Sequence, residues 1–182
     1  STYLDTLNLN IPESGGLLPD LLDEIKWEMD WLLKMQDPAD GGVYHKLTGP
    51  NFIGDVMPGT AGETRYFIGK GSAATFDFAA VCALAYRIYR DFMPSFADSC
   101  LEAAKYAFSW GLEHPDSTFT NPPDIVTGEY GDRNCSDEHY WAAIELFLAT
   151  GDSVYYNDSK LYLKNYGEPG WPNVGMLGFY SM

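Results

Sequence analysis

Basic residues are scarce in this chain of 182 residues: 11 Lys and Arg stand against 26 Asp and Glu, for a net charge of −15. Such a surface repels phosphate backbones, which excludes nucleic acid as a partner. Long apolar runs are also missing. No stretch approaches the ~20 residues that a membrane span requires, so no membrane partner is expected. No secretory-type segment opens the chain, and Ser1 stands where a Met would begin a nascent protein, which fits a processed terminus or a piece of a longer chain. Cysteine is limited to Cys82, Cys100 and Cys135. Three thiols cannot all pair within one chain, and their spacing matches no zinc site. The 3 histidines, His45, His114 and His139, stand far apart in sequence, which argues against a His-based metal centre. No apolar–polar alternation of convincing length occurs, so sheet is not expected.

What is present is apolar and aromatic. Hydrophobic residues make up 46% and aromatics 15%, including 13 Tyr and 5 Trp. That composition suits one folded domain. Flat rings suit a sugar-binding surface and equally a core of large helices. Residues 1–16 read as a helix end and a loop broken by Pro12, Gly15 and Gly16. The spacing of Leu18, Leu21, Leu22, Ile25, Met29, Leu32 and Leu33 predicts a helix from Pro19 to Gln36, with Trp27 and Trp31 widening its stripe. Residues 37–71 read as irregular, a length that usually signals function. A nearly all-apolar helix over 72–92 is expected to be buried all round. Helices over 95–111, 137–150 and 153–165 come next, then an apolar segment from Val174. Buried helix, turn, outer helix and long loop recur, which describes stacked αα-hairpins whose loops gather on one face. Trp27, Trp31, Trp110 and Trp141 fall within helices and read as core.

Three segments carry a resemblance. The first runs Asn10-Ile11-Pro12-Glu13-Ser14-Gly15-Gly16 and continues through Pro19-Asp20-Leu21-Leu22-Asp23-Glu24-Ile25-Lys26-Trp27. The second is Trp31-Leu32-Leu33-Lys34-Met35-Gln36 with Gly41-Gly42-Val43-Tyr44-His45-Lys46. The third is Asp137-Glu138-His139-Tyr140-Trp141-Ala142-Ala143-Ile144-Glu145-Leu146, closing on Ala149-Thr150-Gly151-Asp152. In order and spacing they resemble glycoside hydrolase family 9, especially its branch with an N-terminal immunoglobulin-like module.

The resemblance implies an all-α fold, a partial (α/α)6 toroid, with residues 1–182 forming part of one catalytic module. It implies hydrolysis of β-1,4-glucan with inversion, outside the cell because the expected substrate is insoluble. Inversion needs two carboxyl groups roughly 6.5–9.5 Å apart, one to protonate the leaving oxygen and one to activate water. In the family the base lies in an Asp-Ala-Gly-Asp motif upstream of the first segment, and the acid is a Glu far downstream. Neither is present here, so no catalytic residue is assigned and the chain alone is expected to be inactive. The remainder of the module is then a partner, and a large apolar edge is expected where it would pack. A catalytically inactive glucan-binding helical module is the alternative.

The run Asp132-Arg133-Asn134-Cys135-Ser136-Asp137-Glu138 supplies the hard oxygens that Ca²⁺ takes. The family places a calcium at this loop, so Asp132, Asn134, Asp137 and Glu138 are its implied ligands, with Asn173 a further candidate. Helix capping, with Ser136 as N-cap and two acids in the first turn, competes with that reading. Glu13, Asp20 and Asp23 form a second candidate calcium site, again against capping. His45 and Phe52 lie where the family builds part of its cleft. His45 is suited to a glucose hydroxyl or, as a loop side chain, to a bond with backbone. Phe52, Tyr130 and Trp171 are suited to stacking on sugar rings.

Overall fold

The helix predicted near residue 19 begins at Asp20 and runs to Leu32 (α1), continued by a 3-10 turn at Leu33–Met35. In this computed structural model residues 9–16 and 18–182 are described. Part of the helix end read over residues 1–16 therefore lies outside them, and residues 11–16 form turns. Asp20 holds these turns in place. Its carboxylate accepts the Leu9 N–H at 2.8 Å and the Ser14 hydroxyl.

A correction concerns residues 37–71, expected to be irregular. They contain an antiparallel pair, β1 (Tyr44–Thr48) and β2 (Tyr66–Lys70), in the register Tyr44–Lys70, Lys46–Ile68 and Thr48–Tyr66. Polar side chains fasten this ribbon to the helices. Lys70 Nζ donates to Asp37 at 2.6 Å and to Asp40 at 2.9 Å, and the Tyr44 hydroxyl donates to Asp37 at 3.1 Å. The Val43 N–H donates to Thr75 Oγ1 at 3.1 Å.

Helix α2 (Ser72–Tyr89) is the hub, packed against α3 (Pro94–Glu113) and α4 (Ser136–Thr150). Small side chains permit the close approach: Ala79, Ala80 and Ala83 of α2, Ala97, Ala104 and Ala107 of α3, and Ala142 and Ala143 of α4 are all fully buried in one core. At Gly111 of α3 a Cβ would lie 2.6 Å from the Phe76 ring, so only glycine fits there. Cys82 and Cys100 are buried free thiols, as their apolar settings implied.

Helix α3 starts on Pro94, where a missing N–H is harmless. Helix α4 stops at Gly151, whose φ of 71° lets its N–H close on the Phe147 carbonyl at 2.7 Å. Asp152 immediately caps α5 (Ser153–Ser159), accepting the Val154 N–H at 2.9 Å. Helix α5 is thus shorter than the predicted 153–165, because Leu161–Tyr162 turn back onto Asp158 and Ser159. The apolar segment from Val174 becomes α6 (Gly175–Ser181). A buried ion pair ties three helices: Arg87 of α2 reaches Glu145 of α4 at 2.5 Å, and Glu145 also accepts from Trp141 and from Ser181 of α6.

Two expected core tryptophans are not core. Trp110 and Trp141 are buried, but Trp27 is 77% exposed and Trp31 40%. They share the open side of α1 with Leu21 and Ile25, and α1 has only slight contact with α2. These side chains give α1 an exposed apolar face.

Candidate functional site

The loops of one face gather aromatic rings. Strand β1 fixes the 117–131 loop beside it: Lys46 Nζ donates to the Gly128 carbonyl at 2.7 Å and to Thr127 Oγ1 at 3.1 Å, and Thr48 Oγ1 meets Thr127 Oγ1 at 2.9 Å. So anchored, the loop turns at Tyr130, whose φ of 52° is unusual for a bulky side chain and aims its ring outward. A groove of about 310 Å³ lies between β1, residues 49–53 and residues 127–130, with Phe52 and Tyr130 among its walls. Trp171 stacks on Tyr130 at 5.0 Å with the planes 23° apart. It stands at the tip of a tight turn closed by mutual 3.0 Å backbone bonds between Gly170 and Asn173. Phe52, Tyr130 and Trp171, singled out separately in the sequence, thus form one exposed aromatic rim.

His45 sits behind that rim. Its Nε2 contacts the Glu129 carbonyl at 3.0 Å and its ring stacks on Phe119 at 4.0 Å. The backbone-bonded reading is therefore the observed one for Nε2. Nδ1 is buried with no partner, and burial lowers the imidazole's pKa.

The second feature is acidic and lies at the head of α4. Asp132 Oδ1 accepts the Asn134 N–H at 2.8 Å, and Asn134 Oδ1 in turn faces the Ser136 N–H at 3.4 Å. Ser136 is the first helical residue, not the cap expected under the capping reading. Cys135 takes the cap position and its side chain makes no cap bond. Asp137 Oδ2 accepts the N–H of Val174 at 2.8 Å, which brings Asn173 beside the Asp137 carboxylate. Glu138 is buried, and its Oε2 has no partner.

Asp77, on α2, was missed in the sequence because it lies within an otherwise apolar run. As a residue it is half-buried, but its Oδ1 is sealed from solvent and unpartnered. Burial, then the charges of Asp137 and Asp132, push its carboxyl up to about 7. Burial, then Asp77, push Glu138 to about 9. An acid in the middle of a nearly all-apolar stretch was the available signal, because such a group needs a partner.

Asp77 also lines a cavity of about 340 Å³ with Val43, Tyr44 and His45. Glu138 is enclosed where α4 meets its neighbours, and the Asp77 oxygen that lacks a partner has no solvent contact. His139, next in line, is sandwiched by Phe76 at 4.4 Å and Tyr162 at 3.9 Å and bonded to Asp158 at 2.6 Å, so it is a packing residue.

At the other candidate cation site, Asp20 is committed to Ser14 and Leu9, and its pKa is lowered by the Ser14 hydroxyl bond. Asp23 lies close to Gly16, and Glu13 Oε2 is buried without a partner. Among the described residues, no three His, Cys, Asp or Glu side chains converge to hold an ion.

Stacked αα-hairpins with long loops collected on one face make this chain part of an (α/α)6 toroid, the scaffold of a glycosidase. The chain belongs to glycosyl hydrolase family 9, whose sequence profile matches residues 4–179. It is 42% identical to a xyloglucan-specific endo-β-1,4-glucanase of Bacteroides ovatus over 98% of its length and 32% of the relative's. It is 38% identical to endoglucanase D of Acetivibrio thermocellus, over 98% of this chain and 29% of that one. Among solved structures, a Bacteroides ovatus family 9 protein superposes with a TM-score of 0.93 at 41% identity, covering 99% of this chain and 35% of that one. A thermostable endoglucanase of Alicyclobacillus acidocaldarius gives 0.86 at 38% identity, over 91% and 32%. The chain therefore spans about a third of the length of the relatives it matches.

Proposed function

We propose that this chain supplies part of the substrate cleft of a module that hydrolyses β-1,4-glucosidic bonds in cellulose or a related β-glucan by inversion. The observation that carries the reading is the rim of Phe52, Tyr130 and Trp171 on the loop face of a family 9 scaffold. Stacked rings hide their inner faces from each other, so the outer faces of Tyr130 and Trp171 are the ones open to sugar. Xyloglucan, the substrate in the name of the Bacteroides ovatus relative, is a candidate beside unbranched glucan. His45 lies close enough to the rim to address a sugar hydroxyl once its Glu129 contact opens.

The proton-transfer carboxylates belong to flanking polypeptide that packs on the exposed face of α1, and action on an insoluble polymer places the whole protein outside the cell. At the head of α4, Asp132, Asn134, Asp137, Glu138 and Asn173 offer hard oxygens of the kind calcium takes, and the Glu138 Oε2 is orphaned, although their carboxylates do not converge on one point. With only two carboxylates in the first turn of α4, backbone carbonyls of the 132–135 loop would complete the shell. A bound ion would supply structural charge neutralisation. A second ion at Glu13, Asp20 and Asp23 is a weaker reading, because Asp20 is already occupied by hydrogen bonds.

The test is release of reducing sugar from soluble cellulose and from xyloglucan. The 182-residue chain alone should give none, and a chain extended through both flanks should turn over. Robust turnover by the chain alone would overturn the assignment of the carboxylates. Binding without cleavage by the extended chain would favour a purely sugar-binding module.

A further inference from the structure

We propose that Glu63 is a specificity-determining residue of the groove beside the aromatic rim. Its carboxylate accepts hydrogen bonds from adjacent hydroxyls of a neutral sugar unit and turns away acidic ones. The inference rests on the reading of the rim as part of a glucan cleft, and adds to it a polar contact and a preference for uncharged substrate.

Glu63 stands on the connection between β1 and β2 and is partly buried. It lines the groove of about 310 Å³ together with Phe52 and Tyr130, which gives that groove two rings and a carboxylate. Gly49, also in the wall, fixes where the carboxylate lies. A Cβ on that glycine would run into the Glu63 Cδ and both its oxygens, so the acid rests against bare backbone. Gly49 is not among the glycines with positive φ, so the position uses its small size and not its conformational freedom. No hydrogen bond or ion pair among the described residues occupies the Glu63 carboxylate. The cation of the same groove, Lys46, gives its Nζ to the Gly128 carbonyl and to Thr127 Oγ1. Glu63 is thus held in place by shape, with its acceptors unspent.

An ionised carboxylate has no hydrogen to give and two oxygens to accept with, so it suits a ligand that brings donors side by side. Neighbouring hydroxyls of a pyranose ring do that, while the faces of Phe52 and Tyr130 take its C–H surface. A hydrogen bond to a charged group is worth roughly tenfold in affinity. The same charge disfavours a uronate or a carboxymethyl substituent, since two like charges about 5 Å apart in water weaken binding about fourfold. A glucosyl unit of the main chain and a xylosyl branch both present adjacent hydroxyls, and the experiment separates them.

The experiment measures KM and kcat of a chain extended through both flanks on hydroxyethylcellulose, xyloglucan and carboxymethylcellulose (or Kd by affinity electrophoresis, for a chain that binds without cleaving). Glu63→Ala should raise KM on the two neutral polymers roughly tenfold and leave kcat nearly unchanged. A greater loss on xyloglucan puts a xylosyl branch in the groove, and equal losses put a main-chain glucosyl unit there. Glu63→Gln keeps the shape and removes the charge. It should improve carboxymethylcellulose relative to hydroxyethylcellulose about fourfold. Gly49→Ala keeps the acid but pushes it off its seat, so it should reproduce the rise in KM, and it serves as a second variant should a Glu63 variant not fold. An unchanged KM in Glu63→Ala and Gly49→Ala, or an unchanged ratio between charged and neutral polymers in Glu63→Gln, would overturn the role of Glu63. Tyr130→Ala tests the cleft reading separately: if this variant handles all three polymers as the unaltered chain does, the cleft lies elsewhere and that reading falls, taking this inference with it.

Discussion

Helices α1 and α4 both carry a family motif and a similar density of large apolar residues, yet they end in opposite settings. Ten consecutive residues of α4, Asp137 to Leu146, are buried, whereas α1 buries only Asp20, Leu22 and Met29. The difference lies in the neighbours. Helix α4 is enclosed by α2, α3, α5 and α6, all within this chain, while α1 meets little beyond its own 3-10 extension and α2. Trp27 and Trp31 are therefore exposed for want of a packing neighbour among the described residues.

That contrast can be broken by mutation. The largest effect belongs to the enclosed side: Phe76→Ala removes a ring packed on Phe108 and His139 and should cost about 3–5 kcal/mol, read from the urea midpoint. Glu145→Ala strands Arg87, Trp141 and Ser181 at once. It should cost about 3 kcal/mol by the same measurement, toward the lower end for a buried pair because Arg87 is partly exposed. A loss below about 1 kcal/mol for either would show that α2 and α4 are not the mechanical centre of the chain. On the open side, Trp27→Ala should move stability by no more than about 0.5 kcal/mol in this chain. In a chain extended through its flanks the same change should cost several times more, and equal costs in the two would refute the covered-face reading of α1.

The Lys70 clamp lies between these extremes and is read through pH. Lys70 hydrogen-bonds Asp37 and holds its carboxyl down at about 2, below the ordinary 3.8. Its stabilisation is therefore complete above about pH 4 and disappears as pH falls from about 4 through about 2. The stability gap between the unaltered chain and Lys70→Met should close over that interval in urea melts. A gap that persisted below that interval would show that the lysine stem, not the ion pair, holds the ribbon.

Much of this architecture was legible in residue order. Periodic apolar spacing placed α1 to α4 within a few residues, and the Gly151-Asp152 pair marked a boundary that the left-handed Gly151 enforces. The β-ribbon was not legible, because Tyr44–Thr48 and Tyr66–Lys70 are five residues each and neither buries alternate positions cleanly. Its stability comes from Asp37, Asp40 and Thr75, contacts that sequence spacing does not display. Site residues divide in the same way. Phe52, Tyr130 and Trp171 could be named one by one, but their meeting depends on a loop fastened by Lys46 and Thr48. Asp77 was hidden by the helix it interrupts.

The joint between α4 and α5 has a consequence of its own. One left-handed glycine and one capping aspartate leave no slack between the two rods, so the angular phase of the second is dictated by the end of the first. A single residue inserted into helix α5 would rotate the remainder of that helix by about 100° and swing Asp158 off His139, uncoupling the sandwich beneath the acidic loop. Length variation should be tolerated at residues 54–62, beyond the groove wall, and forbidden here.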